Sequence, residues 1–156
     1  MKVIKILLLL LISVSSYSQS LKLKKEWLTL TTAFISGASD GTAETLKHHY
    51  SQFNKVFPKA NEHYWNPEVS WTNKYKDGDY QAGPKYAGST TVLAWTTDGY
   101  HLARFTKNAM MLTTIALHPR ENKKWKSYLL DIAVHTLVYH LGFNTTHDLI
   151  FKRIKN

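Results

Sequence analysis

The chain has 156 residues, with 20 lysines and arginines against 11 acidic residues and no cysteine. The absence of cysteine excludes disulfide bonds, thiolate metal sites, a cysteine nucleophile and a lipid-modified cysteine. A chain of this length accommodates one domain with a substantial core rather than two.

The first residues predict a secretory signal peptide. Two lysines precede an uninterrupted apolar run from Ile6 to Ile12, and a stretch of small residues ends at Ser18. This order is typical of a cleaved export signal, and the run is shorter than the ~20 residues that cross a bilayer. We therefore expect residues 1–18 to be removed and residues 19–156 to form one helical domain in the periplasm or at the envelope membrane surface. Without residues 1–18 the chain keeps 18 lysines and arginines against 11 acidic residues, and outside the cytoplasm this net charge of +7 favours phospholipid head groups or acidic glycans over nucleic acid as partners.

Leu28–Phe57 predicts the first long helix, because apolar residues recur at helical spacing from Leu46 onward. Gly37 and Gly41 lie one turn apart, and such a stripe of small residues lets a second helix approach closely. The same glycines also predict a break into two helices across Ser36–Gly41. The sequence leaves both alternatives open.

Residues 58–89 predict a long connection. This segment is rich in turn-forming residues, yet it contains many aromatic residues, which disordered segments lack. A loop of this kind is usually packed over its domain or functional. Because aromatic faces stack on sugars, the candidate ligand-binding residues are Trp65, Trp71, Tyr75 and Tyr80, with an envelope glycan as the ligand. We alternatively expect Trp65 and Trp71 to anchor the loop across the helices.

Residues 90–117 predict the second long helix, since their apolar side chains gather on one side at about 100° per residue. A β-hairpin is the alternative over the first half, because Asp98-Gly99 favours a type I′ turn. In a helix, Asp98 would project among apolar residues and would need a partner. We expect that partner to be a basic side chain of another helix. In a hairpin, Asp98 would be a turn residue.

Trp125–Phe143 predicts a third, strongly apolar helix, and a capping-box pattern at Thr145–Asp148 predicts a short terminal helix through Ile154. Basic and aromatic residues flank the third helix, which suits a membrane interface. A buried core helix with solvated ends explains the same pattern. The elements together predict a mostly α protein, a small helical bundle with a long aromatic-rich loop between the first and second long helices.

Carboxylates and imidazoles one helical turn apart supply a candidate polar site. Asp40, Glu44 and His48 are spaced four apart, which predicts a divalent metal site on one helix face, with a solvated face as the alternative. Acid and histidine pairs on the other helices would converge with them in the core, to hold a metal, relay a proton or satisfy one another. The zinc-hydrolase pattern of two histidines and a glutamate is absent from the sequence. The full candidate cluster is Asp40, Glu44, His48, Asp98, His101, Asp131 and His135.

Four motifs carry a resemblance to a known group of proteins. They are the segments Ser36–Gly41, Trp65–Pro67, Ser70–Lys76 and Thr97–Leu102. On these motifs, which cover less than half of the chain, it resembles an uncharacterised group of small exported or membrane-associated bacterial proteins. The resemblance implies a mostly helical protein of the cell envelope and supplies no catalytic residues, because the group has no established activity.

Three functions are consistent with the sequence, in decreasing order of support. The first is a non-enzymatic helical protein of the envelope that associates with an anionic membrane surface or another envelope component. The second is a metal-binding protein or hydrolase-like enzyme that uses the candidate polar cluster, with a divalent metal as its cofactor. The third is an envelope glycan binder that uses the aromatic loop.

Overall fold

The computed structural model describes residues 23–118 and 124–152, so the predicted signal peptide lies outside it. Within these residues the protein is a small, mostly α-helical bundle, which confirms the predicted fold class. The described residues contain no strand, and their one β-bridge joins Tyr75 to Pro84.

Six α-helices and a terminal π-helix make up the described part of the chain. Their bounds are α1 Leu23–His48, α2 Tyr50–Val56, α3 Glu62–Trp65, α4 Pro67–Ser70, α5 Gly99–Leu117, α6 Trp125–Asn144 and the π-helix Thr145–Phe151. Single 3₁₀ turns occupy Trp71–Lys74, Lys76–Gly78, Tyr80–Ala82 and Ala94–Thr96. The short helices and most of these turns form the predicted aromatic-rich connection between α1 and α5.

Helix α1 is the middle of the bundle, with α5 and α6 packed on it and little direct contact between those two. Glycines set the spacing of α1 and α6. A Cβ placed on Gly37 would lie 2.7 Å from the carbonyl carbon of Tyr139, and one placed on Gly142 would lie 2.9 Å from the backbone nitrogen of Ala38. Side chains at these positions would hold the two backbones apart. The predicted close approach is therefore confirmed, and the alternative break across Ser36–Gly41 is wrong.

The first predicted helix does break, but at His49. Its backbone leaves the helical region (φ −141°, ψ 38°), and α2 starts at the next residue, Tyr50. The turn carries Phe53 into a small buried apolar cluster with Leu46 and Phe151, against which Trp65 packs. Burial of these large side chains stabilises the turn, and a pattern confined to one helix does not reveal it.

Helix α5 starts at Gly99, so both the helix predicted from residue 90 and the alternative hairpin are wrong. The residues before it form turns and one 3₁₀ turn. Here the hydroxyl of Thr96 donates to the carbonyl of Leu93 (2.8 Å), and that of Thr97 donates to the carbonyl of Ala94 (2.7 Å). Such local side-chain bonds compete with helix continuation.

The predicted capping box at Thr145 is also wrong. Asn144 and Thr145 keep right-handed helical dihedrals, so α6 passes directly into the π-helix. The Thr145 hydroxyl donates back to the carbonyl of Leu141 (2.7 Å), while that of Thr146 donates to the carbonyl of Ala38 on α1 (2.9 Å). The wider π-turn therefore stays bonded to α1. The predicted end at Ile154 lies outside the described residues.

Candidate functional site

An aspartate–histidine pair lies at the first turn of α5. Asp98 is the N-cap residue: its Oδ1 accepts the backbone N–H of His101 at 2.8 Å. Its Oδ2 lies 2.8 Å from Nδ1 of the same histidine and 3.1 Å from the hydroxyl of Thr97. The Asp98 side chain is 2% exposed, whereas the His101 side chain is about one-third exposed. The predicted burial of Asp98 is therefore confirmed, but its basic partner belongs to the same helical turn rather than to another helix.

This pairing changes the acidity of Asp98. Burial by itself raises the pKa of the Asp98 carboxyl, but hydrogen bonds and charge from His101, with the Thr97 hydroxyl, outweigh it. The pKa is held below its ordinary value of 3.8. Asp98 is therefore a carboxylate at neutral pH, and it fixes the orientation of the His101 ring.

We expect Asp98→Ala to lower the free energy of unfolding by about 1–2 kcal/mol, because it removes the N-cap of α5. Asp98→Asn should cost less, since asparagine caps equally well. A carboxylate with a depressed pKa contributes stability above about pH 4 and loses it as the pH falls through the folded value. Denaturant unfolding between about pH 2 and pH 7 should therefore show a steeper acid loss for wild type than for Asp98→Asn. Parallel curves would contradict the pairing.

Asp40 joins the three long helices. Its Oδ1 lies 2.7 Å from Nζ of Lys107 on α5, and its Oδ2 accepts the hydroxyl of Tyr139 on α6. Burial, and then the bond to Asp40, raise the pKa of the Tyr139 phenol. The Asp40 carboxylate is thus held between the helices by the Lys107 ammonium group and the Tyr139 hydroxyl.

The predicted metal triad is not assembled. Glu44 and His48 form an exposed pair at 3.4 Å, while Asp40 is bound to Lys107 and Tyr139. Among the described residues, no group of three or more histidine and acidic side chains is placed to hold a metal ion. Asp40, Glu44 and His48 do lie along one helix, but their spacing does not reveal that Lys107 of α5 binds Asp40.

Asp131 of α6 lies beside the C-terminal end of α5. His118, the residue that follows this helix, places Nε2 3.3 Å from Asp131 Oδ2, and Nδ1 of His135 donates to the backbone carbonyl of Asp131 at 2.8 Å. These groups line an apolar groove of about 570 Å³ between α5 and α6, with Ala33 of α1 also in its lining.

The predicted convergence of all the acid–histidine pairs is wrong. Asp98 precedes the first residue of α5 and His118 follows its last, so 19 helical residues separate the two pairs, about 30 Å at 1.5 Å per residue. Asp40 has its own partners between them. The cluster predicted from the sequence is divided into four separate groups: Asp98 with His101, Glu44 with His48, Asp40 with Lys107 and Tyr139, and Asp131 with His118 and His135.

The four aromatic residues of the loop predicted to bind a ligand lie in two different places. Trp65 packs over Gly99, where an added Cβ would lie 2.7 Å from Cζ3 of the indole, and its ring centroid is 5.3 Å from that of Phe53. In contrast, Trp71 is 46% exposed. Trp71, Tyr75 and Tyr80 form an edge-to-face series with centroids 6.1 and 6.2 Å apart. Trp65 is thus the loop anchor and Trp71 is not. Glycan binding by Trp71, Tyr75 and Tyr80 stays a prediction.

The sequence analysis did not predict which side chains lie between the long helices and which lie on their outer faces. Between the helices, Thr32 and Thr114 join their hydroxyls at 2.8 Å, and Ser36 donates to the carbonyl of Lys107 at 2.9 Å. The buried small and hydroxyl residues of the long helices are Thr29, Thr32, Ala33, Ser36, Gly37, Gly41, Ala43, Thr45, Gly99, Ala103, Thr114 and Gly142.

The outer faces of the same helices carry large apolar side chains. We call this set the apolar outer surface: Trp27, Leu28, Phe34 and Ile35 of α1, Phe105, Met111, Leu112 and Ile115 of α5, and Trp125, Tyr128, Leu129, Leu130, Ile132, Leu137 and Leu141 of α6. Leu112 is 67% exposed and is typical of them. The alternative of a buried core helix at Trp125–Phe143 is therefore wrong. The sequence of this segment is apolar nearly all round the helix. That pattern does not distinguish a helix buried in the protein from one exposed on its surface.

No family model, no curated protein and no solved structure matches the chain. Of the helices that the structure describes, none is both long enough and apolar enough to cross a membrane.

Proposed function

We propose that this protein is a non-enzymatic component of the cell envelope that associates with a membrane through its apolar outer surface. One observation supports this most directly: the long helices bury hydroxyl and small residues and expose leucine, isoleucine and tryptophan. A domain that works in water alone usually has the opposite distribution.

The energetic argument follows from the exposed side chains. Moving one Leu or Ile side chain out of water is favourable by about 1.5–3 kcal/mol, and the apolar outer surface contains many of them. Contiguous apolar patches on proteins that work alone in water are small, and larger ones mark protein or membrane contacts. Lipid tails remove such a surface from water without any specific partner.

The helix interfaces support the same proposal. Glycine, alanine, serine and threonine at helix–helix contacts let backbones approach closely, and they hold helices together where the surroundings are as apolar as the outer side chains. In this bundle Thr32 meets Thr114, and Gly37 meets the backbone of α6. The bundle therefore does not depend on burial of large apolar residues between its long helices.

Charge favours an anionic membrane. The net charge of +7 from Gln19 onward attracts anionic head groups, at about 1 kcal/mol per basic residue near the surface. At the start of α6 the Lys126 ammonium lies 6.0 Å from the Trp125 ring centroid, and such aromatic and basic side chains suit the head-group region. The predicted export signal would deliver the chain to the envelope.

Vesicle flotation tests the proposal. The chain from Gln19 onward should float with phosphatidylcholine vesicles that contain phosphatidylglycerol. The double variant Leu112→Ser/Ile115→Ser should lower the partition coefficient at least about tenfold, because two exposed apolar side chains leave the contact.

Tyr80→Ser is the matched control, because Tyr80 is 63% exposed but lies in the loop rather than on the long helices. It should float like wild type. A wild-type chain that stays in the aqueous fraction, or a double variant that floats equally well, would contradict the proposal.

A further inference from the structure

A small pocket of about 230 Å³ opens beside the first turns of α5. One wall is the turn segment before the helix, and the other is the helix face that carries Tyr100, His101, Arg104 and Asn108. The remaining lining residues are Thr91, Val92, Ala94, Trp95 and Phe105. Two potential cations and no carboxylate therefore line the pocket.

The His101 ring is oriented by Asp98. Nδ1 faces the buried carboxylate at 2.8 Å, so this nitrogen carries a proton. Because the two ring nitrogens lie on opposite sides of the imidazole, Nε2 points away from Asp98. The ring is about one-third exposed and belongs to the pocket lining.

Arg104 is held one turn further along. Its Nη1 donates to the Tyr100 hydroxyl at 2.9 Å, and its guanidinium lies 5.8 Å from the centre of that ring. The nearby carboxylate of Asp40 is bound by Lys107 at 2.7 Å. One hydrogen bond therefore positions the guanidinium, while its remaining N–H groups keep the planar fork that matches two oxygens of one anion.

The pocket is continuous with the apolar outer surface. Phe105 lines the pocket, stacks on Trp95 with centroids 4.7 Å apart, and is exposed on its other side. Leu112 and Ile115 extend the same α5 stripe at i+7 and i+10 from Phe105. A cationic pocket at the end of an apolar stripe suits a molecule with an anionic head and an apolar tail.

We propose that this pocket binds the phosphate head group of an anionic membrane lipid. Arg104 and the Nε2–H of His101, in its doubly protonated imidazolium form, donate to the phosphate oxygens, and an acyl chain lies along Phe105 and Leu112. This inference rests on the proposed membrane association, and it adds a specific phosphate site to a surface that otherwise attracts anionic lipid only through its net charge.

Partition between two vesicle types tests the site. Wild type should bind phosphatidylcholine vesicles that contain phosphatidic acid at least about tenfold more strongly than pure phosphatidylcholine vesicles. Arg104→Gln and His101→Gln should each remove most of this preference. Arg104→Lys should also weaken it, because lysine keeps the charge but lacks the fork.

Lys47→Gln is the matched control, since Lys47 is exposed on α1 and does not line the pocket. It should keep the preference. If Lys47→Gln and Arg104→Gln lose it equally, general charge attraction explains the binding and the site is overturned. Should Arg104→Gln fail to give a wild-type melting curve, Arg104→Lys, which keeps the charge and the side-chain stem, replaces it, and an undiminished preference in that variant would overturn the site.

The remaining outcomes separate this inference from the proposed function. Equal binding to both vesicle types would overturn the phosphate site and leave membrane association intact. Saturable binding of inorganic phosphate, seen as a shift of the His101 ring resonances without vesicle binding, would overturn the lipid assignment and the membrane proposal together.

Discussion

Gly37→Ala should lower the free energy of unfolding by about 2 kcal/mol. The added methyl group would lie 2.7 Å from the carbonyl carbon of Tyr139, so α1 and α6 must separate, at a cost of about 3 kcal/mol. Alanine returns about 1 kcal/mol through its higher helix propensity. Denaturant unfolding followed by circular dichroism measures the difference.

Ser39→Ala on the same helix is the control, and its effect should stay within about 0.5 kcal/mol. Gly142→Ala should repeat the Gly37→Ala loss from the opposite side of the contact, because its Cβ would lie 2.9 Å from the Ala38 nitrogen. A Gly37→Ala protein as stable as Ser39→Ala would show that the two helices do not touch at their backbones.

Trp65→Ala should have a larger effect, about 3 kcal/mol, or roughly 10 °C in Tm. Its indole covers Gly99 at the start of α5 and packs against Phe53 of the buried apolar cluster. Truncation opens a cavity where the loop meets two helices. Thermal unfolding measures the loss.

Trp71→Ala provides the matched comparison within the same loop. Trp71 is 46% exposed and contacts Tyr75 edge to face, so its truncation should cost less than about 1 kcal/mol. Equal losses for the two tryptophan variants would mean that the loop is not anchored as described.

Patterns local to one helix could be predicted from the sequence. The sequence predicted the three long helices, the aromatic connection and the close approach at Gly37, because helical spacing and residue size are properties of a single segment. The start of α5 was not, since the Thr96 and Thr97 hydroxyls and the Asp98 cap compete with continuation of the helix.

The candidate polar site shows the same limit. The spacing of Asp40, Glu44 and His48 is correct for a shared ion, but the sequence does not reveal that Lys107 and Tyr139 reach Asp40 from two other helices. Asp98 was predicted to be buried and is, yet capping geometry gives it a partner only three residues away. Contacts between helices depend on packing, which spacing alone does not specify.

For the apolar outer surface of α6, the sequence left two alternatives open, a membrane interface or a buried core helix. A helix that is apolar nearly all round is equally consistent with a protein core and with contact to lipid. Residues such as Leu130 and Ile132 are distinguished as exposed only when the positions of α1 and α5 are known.

Lipid contact at single positions tests membrane association most directly. The chain has no cysteine, so Leu112→Cys and Tyr80→Cys each give one site for a fluorescent label. With vesicles present, we expect a lipid-borne quencher to reduce the emission from position 112 strongly and that from position 80 little. Equal, weak quenching at both positions would contradict membrane association through the apolar outer surface.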